Sequence, residues 1–504
     1  MRLSLQRFAV LLGVIAASGA CNLILGNETG KLEPDSGSGG SPSDSDGEGG
    51  AGGLGSGTGG QGTGGGITIP ETCEYEEAGG FCYGDCLATE GPGPRVKNAT
   101  WGAFTTSKAW MDGWTNWSTN SSRLTADQKV LRTEALLPQN AATHVLGDDI
   151  LADKTLTADQ AWVISGTVHV RDGVTLTIEP GTLILGSAGS TLVISRGGRI
   201  DAQGTVDAPI IMTSSAVDGD RERGQWGGVV LLGRANNFEG PDVQVAGLES
   251  DVLNQHGEGG GTVEDGGDCG TLKYVRIEFS GAELVDKMRL NGLTVGSCGS
   301  ATSISYVQLN TTWDDAFEFF GGMFDVDHLV ANNPGDDMID LDLGWRGTID
   351  TFFGRQILPT TVDSSGLEWD SSLDFADQPT TDARARNATL CGASQPGNPT
   401  FGAVLRERVG GSLDNLAIMG FDAAFDTRDD FLTLGTGQLP LVTVENSAVW
   451  ANHGGVAYDE DPAKVLGQAG CNAEPKKYLC DDDLNFNEVD WFLTPANANE
   501  VLEP

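Results

Sequence analysis

The sequence predicts an all-β fold, a single-stranded parallel β-solenoid with small irregular caps at its N- and C-terminal ends. Three observations carry that prediction. First, NTTWDDAFEFFGG (310–322) overlays NNPGDDMIDLDLG (332–344), 22 residues further on. A repeat of that length with strand character and no helical period is one turn of a solenoid. Second, from about Thr155 the chain breaks into short β-rich runs between glycine and asparagine turns, among them WVISGTVHV, VTLTIEPGTLILG, TLVISRGGRIDAQG, PIIMTS and GQWGGVVLLG. Alternation of Val, Ile and Leu with small or polar residues gives each run one inward and one outward face. Third, no segment in this part has the length and period of a crossover helix, which counts against a βαβ fold.

The repeat sets Asn310 on Asn332, Asp314 on Asp336, Asp315 on Asp337, Glu318 on Asp340, Phe320 on Asp342 and Gly322 on Gly344. Equivalent residues of successive turns stack about 4.8 Å apart, so the paired acids become ladders of like charge. Strand alternation in FEF points Phe317 and Phe319 inward and Glu318 outward. One turn later Ile339 and Leu341 point in while Asp340 and Asp342 point out. LEWD repeats the form with Glu368 and Asp370 outward, and AFDTR offers Asp426.

Carboxylates so spaced raise one another's pKa, and a bound cation, a basic partner or a shared proton relieves them. The basic residues closest in sequence are Arg346 and Arg355. Hard oxygen donors without histidine match calcium, which takes about six to eight oxygens. Asp314, Asp315, Glu318, Asp336, Asp337, Asp340 and Asp342 are therefore candidate metal ligands. The competing expectation is that the aspartates cap turns and the glutamate lies in solvent. Asn310, Asn332 and Asn452 are read as corner residues, since asparagine tolerates left-handed backbone. DDDLNFNE (481–488) has the oxygen rhythm of a calcium loop, but Phe486 and Phe492 stand where such a loop needs glycine and glutamate.

Composition narrows the function classes. Among 504 residues, 71 are acidic and 30 basic, a formal charge of −41. That charge opposes binding to nucleic acid or to an anionic membrane surface. Nine cysteines and five histidines form no C-x-x-C, C-x-x-C-H or H-E-x-x-H motif, so a structural zinc site, covalent haem and a zincin are not expected. G-x-S-x-G is also missing.

The N-terminus reads as a targeting segment. Residues 1–20 form a signal peptide, with Arg2 and Arg7 ahead of an apolar run from Phe8. Ser18-Gly19-Ala20-Cys21 resembles a bacterial lipobox in which Cys21 takes the lipid, although Ser18 replaces the usual leucine. Residues 21–69 are rich in Gly, Ser and Asp and are expected to form a flexible tether, with a reach on the order of 35 Å. The expected location is outside the cytoplasm, on the bacterial outer membrane or cell surface, with the membrane touched only through the lipid.

Eight cysteines remain, and an even count in an exported chain is read as disulfides. Cys269 with Cys298 and Cys471 with Cys480 are the expected pairs. Residues 70–150 form a Cys- and Trp-rich cap region in which Trp101, Trp110, Trp114 and Trp117 crowd together. They serve either as a hydrophobic cover over the open first turn or as a carbohydrate-stacking platform. A short helix is expected within 124–137. The solenoid spans 151–455, and 456–504 is the C-terminal cap.

DGVTLTIEPGT (172–182), GQWGGVVLLG (224–233), LKYVRIEFSG (272–281), DDAFEFFGG (314–322) and GWRG (344–347) resemble motifs of right-handed parallel β-helix proteins of the pectin-lyase-like type. The resemblance covers roughly 145–455 and is strongest to exported or lipid-anchored bacterial members without a defined activity. It implies right-handed winding and leaves function to the site. The expected function is a binding or structural module, calcium-stabilised, that contacts a glycan or a cell-surface or matrix component. The alternative is a polysaccharide lyase or glycoside hydrolase using Asp315, Asp336 and Asp337. No H-G-x-G-like histidine or R-x-K pair accompanies these acids, and His328 reads as a turn or core residue. A basic residue or histidine within reach of the Asp314/Asp336 ladder would distinguish the two.

Overall fold

The computed structural model describes residues 102–104, 110–137 and 144–428, apart from 259–266, 286, 362–363, 373, 375–376 and 394–399, together with 442–445, 447–450, 457–458 and 485–486. The signal peptide, Cys21, the tether, Trp101, Asn452, Cys471, Cys480 and Asp481 to Asp483 lie outside the described residues.

The chain winds through stacked parallel strands. One sheet includes Gly270–Glu278, Ser303–Asn310, Val326–Asn332, Thr348–Arg355, Asp382–Cys391 and Gly410–Met419 in that order. A second sheet includes Leu293–Gly296, Phe317–Phe320, Ile339–Asp342, Ser365–Trp369, Phe401–Arg406 and Ala423–Arg428. The register pairs Asn310 with Asn332, Phe317 with Ile339, Glu318 with Asp340 and Phe320 with Asp342. The 22-residue repeat is therefore one turn of a parallel β-helix. Inward residues of both sheets, among them Phe317, Phe319, Leu329, Ile339, Leu341, Ile349 and Trp369, share one core. Cys269 and Cys298 are disulfide-bonded, with their Cα atoms 5.8 Å apart.

The corner within the long strands is built from residues with left-handed backbone: Tyr274, Tyr306, His328, Thr351, Asn387 and Asn415, with φ between 49° and 59°. Each bends its strand and drops out of the pairing register. The rings of Tyr274 and Tyr306 stack at 4.4 Å and those of Tyr306 and His328 at 4.3 Å. His328 is thus a turn residue on the first sheet. Asn310 and Asn332 differ from the corner role expected of them. They close strands and pair in register, and the positive φ falls one residue later, at Thr311 and Asn333. Their amides are buried and bond to each other instead, Asn332 Nδ2 donating to Asn310 Oδ1 at 2.5 Å, because a buried amide without a partner is costly.

The tryptophan-rich segment corrects a second expectation. Among the described residues it neither covers the open first turn nor forms an exposed platform. Trp110, Trp114 and Trp117 are 7%, 0% and 4% exposed and pack on Val330, Phe353, Ala417 and Met419, outward residues of the first sheet in later turns. From there the segment runs back to the helix Ala126–Ala135, held by a Thr125/Gln128 capping box, which lies on Ala161, Val163, Leu183 and Leu185 of the first turns. A parallel sheet with apolar side chains on both faces must be covered on both. Here the N-terminal segment is the cover, a strap along the flank.

Candidate metal centre

The acidic residues stand on the second sheet and on the turns that lead into it. Glu318 and Asp340 occupy outward positions in register, and Glu368 continues the row. Asp314, Asp315, Asp336 and Asp337 come just before the strands Phe317–Phe320 and Ile339–Asp342. Outward does not mean solvated at this spacing. Asp314 and Glu318 are each 8% exposed, because neighbouring turns crowd them.

Two groups of carboxylates converge. Single oxygens of Asp314, Asp315 and Asp336 lie within 4.8 Å of one another, and so do those of Asp315, Glu318 and Asp340. Asp315 belongs to both. The other two expected ligands, Asp337 and Asp342, belong to neither group. Asp337 Oδ1 accepts the backbone N–H of Ser365, and Asp342 Oδ1 accepts that of Leu343 at 2.5 Å. Asp315 also caps a turn, its Oδ1 accepting the N–H of Asp337 at 2.9 Å.

Burial raises the pKa of each of these acids, and for all but Asp314 neighbouring carboxylates add to it. Asp314 is pushed up to about 6 by burial, with Arg289 opposing. Asp315 is raised further by burial and then by Asp314, Asp336 and Glu318. Burial and the charge of Asp314 lift both Glu318 and Asp336. For Asp340 the causes are burial, Glu368 and Glu318. The arrangement is a set of oxygen donors short of positive charge.

The expected basic partners are not the ones present. Arg355 lies on the first sheet, where Nε donates to Asn332 Oδ1 at 2.5 Å and the guanidinium sits 4.8 Å from the Trp117 ring. Among the described residues Arg346 makes no ion pair with the ladder. Arg406 pairs with Glu368 and Asp370. Burial alone would lower its pKa, but Glu368 and Asp370 outweigh that and raise it. It lies 36 residues from Asp370, outside the 22-residue spacing, so the repeat gave no sign of it.

Arg289 is the other basic neighbour. It lies on a small antiparallel excursion, Glu283–Val285 against Met288–Arg289, and sits over the Trp313 ring at 5.1 Å. Trp313 is 39% exposed. Gly224 makes room for the indole, since a Cβ there would stand 2.6 Å from the ring. Asn291 completes the surroundings, its Nδ2 donating to Glu318 Oε2. No repeat reaches Arg289 or Asn291, because the earlier turn is longer.

Stacked parallel turns carrying acids on one outer face define a parallel β-helix protein. The family model described as "Pectate-lyase like beta helix domain" matches residues 148–460, more than half of the chain, and the chain belongs to that family. No curated protein matches it. Among solved structures it is similar to the enzymatically active domain of tailspike protein 2 of bacteriophage CBA120, at 14% identity and a TM-score of 0.21, over 65% of this chain and 42% of that one. It is also similar to full-length tailspike protein 2 of Escherichia coli O157:H7 bacteriophage CAB120, at 14% identity and a TM-score of 0.21, over 65% and 38%. The chain thus spans less than half the length of either.

Proposed function

We propose that this chain is an exported, lipid-tethered β-helix that holds calcium on its acidic face and binds a glycan or cell-surface component there. The observation that carries the reading is the convergence of Asp314, Asp315, Glu318, Asp336 and Asp340 into two oxygen-only groups. All donors are hard oxygens, which favours calcium over metals that seek nitrogen or sulfur. Trp313 supports the glycan side, because an exposed indole beside a cation site offers a sugar ring a stacking face. Cys21 and the Gly/Ser-rich tether support the anchored location.

The test is a melting curve of the chain with calcium and with chelator, followed by binding to a panel of polysaccharides. Calcium should raise the melting temperature, and glycan binding should need calcium and weaken in Trp313→Ala. Unchanged melting in calcium would remove the reading.

A second reading is polysaccharide cleavage. Arg289 favours it, since it places a basic side chain beside Asp314, the feature that separates an enzyme from a binding module. Appearance of new sugar ends on incubation with the panel, lost in Arg289→Ala, would establish it.

A further inference from the structure

We propose that the acidic face holds a pair of divalent cations bridged by the carboxylate of Asp315. This rests on the cation-binding reading above and goes beyond it in number and arrangement. The two triads, Asp314/Asp315/Asp336 and Asp315/Glu318/Asp340, share that one residue. Each triad is a separate gathering of oxygens, one before the strand pair and one on it.

Unsatisfied oxygens fall on both. Asp314 is 8% exposed, and among the described residues its carboxylate accepts no hydrogen bond, although it lies within 4.8 Å of Asp315 and Asp336. In the second triad Asp340 Oδ1 is buried with no hydrogen-bond partner. A buried polar atom without a partner is rare in native proteins and calls for one. The neighbouring acids are satisfied by the protein itself: Asp337 by the Ser365 N–H, Asp342 by the Leu343 N–H, and Glu368 by Arg406.

Charge favours two ions over one. The five carboxylates carry five negative charges when ionised. With Arg289 beside Asp314, one divalent ion leaves two uncompensated and two ions leave none. Like charges this close and this shielded from water are strongly unfavourable. A carboxylate between two cations a few ångströms apart is a familiar arrangement in two-metal sites.

Asp315→Asn is a clean probe because Asn291, one turn below, already performs the same turn bond with an amide: its Oδ1 accepts the Asp315 N–H at 3.2 Å. The experiment is equilibrium dialysis of the full chain, stripped with chelator, against calcium, with metal counted per chain. The wild type should bind two ions. Asp336→Asn and Asp340→Asn should each leave one, and Asp315→Asn should weaken both. Glu318→Gln is a second variant of the Asp340 triad, and far-UV circular dichroism checks the fold of each. One ion per chain, or two ions retained in both Asp340→Asn and Glu318→Gln, overturns the pair while leaving cation binding intact. No bound calcium overturns both.

Discussion

Asp315 Oδ1 accepts the backbone N–H of Asp337 at 2.9 Å, one turn further along the helix. The step repeats below, where Asn291 Oδ1 accepts the Asp315 N–H, and above, where Asp337 Oδ1 accepts the Ser365 N–H. The side chains form a staircase in which each turn caps the next. Capping a turn therefore does not take an acid out of the carboxylate cluster. Asp315 caps the next turn and also belongs to both carboxylate groups.

The staircase separates two substitutions. Asp315→Asn keeps the acceptor, while Asp315→Ala leaves the Asp337 N–H buried without one, at a cost of about 1–3 kcal/mol. Denaturant unfolding in chelator should show the alanine variant destabilised by about that much relative to the asparagine variant. Equal stabilities would mean that the bond contributes nothing.

The raised carboxylates make stability depend on pH. An acid whose pKa is higher in the folded state keeps its proton there while the unfolded chain has lost it, so stability falls as pH rises through the folded value. Asp314 sits near 6, and Asp315, Glu318, Asp336 and Asp340 are raised well above their ordinary range. In chelator, the wild type should lose stability relative to Asp314→Asn as pH rises from about 4 to about 6, from the ordinary aspartate value to that of Asp314. Saturating calcium should flatten that slope, and a flat profile in chelator would count against a buried ladder.

His256 acts in the opposite direction. Its Nδ1 is 2.9 Å from Ser297 Oγ and its ring stacks on Phe320. Burial, with some help from Arg196, holds its pKa down to about 3. The unfolded chain protonates near 6.5, so this contribution is complete above that pH and is lost on acidification toward 3, by about 1.4 kcal/mol per pH unit. Unfolding free energies between pH 6.5 and 5 should show a shallower acid loss in His256→Gln than in the wild type.

The strap is held by a buried charge. Arg276 Nη1 donates to the Trp114 carbonyl at 3.1 Å and Nη2 to that of Arg123 at 2.8 Å, while Nε lies 3.1 Å from Glu278 Oε1. Arg276→Ala removes the ion-pair partner of Glu278, fully buried, and should cost about 3–5 kcal/mol. Trp114→Ala should cost a similar 3–5 kcal/mol through the cavity it leaves. Denaturant unfolding measures both, and the Arg276→Ala/Glu278→Ala double variant should recover part of the loss.

Sequence by itself determined the winding and the ladder. Strand side chains alternate with a period of two, and no insertion interrupts the turn from Glu318 to Asp340, so the 22-residue spacing of the two copies translates directly into vertical contact between them. Only the tertiary structure decided what surrounds that ladder. Arg406 reaches Asp370 across an insertion that breaks the spacing. Arg289 arrives on a hairpin outside the repeat. The strap docks residues as far apart as Gly102 and Asn415, 313 positions along the chain. The physical reason is common to all three. Periodicity encodes contacts between equivalent positions of equal turns, whereas insertions and an irregular segment find their partners by shape and charge, which no spacing records.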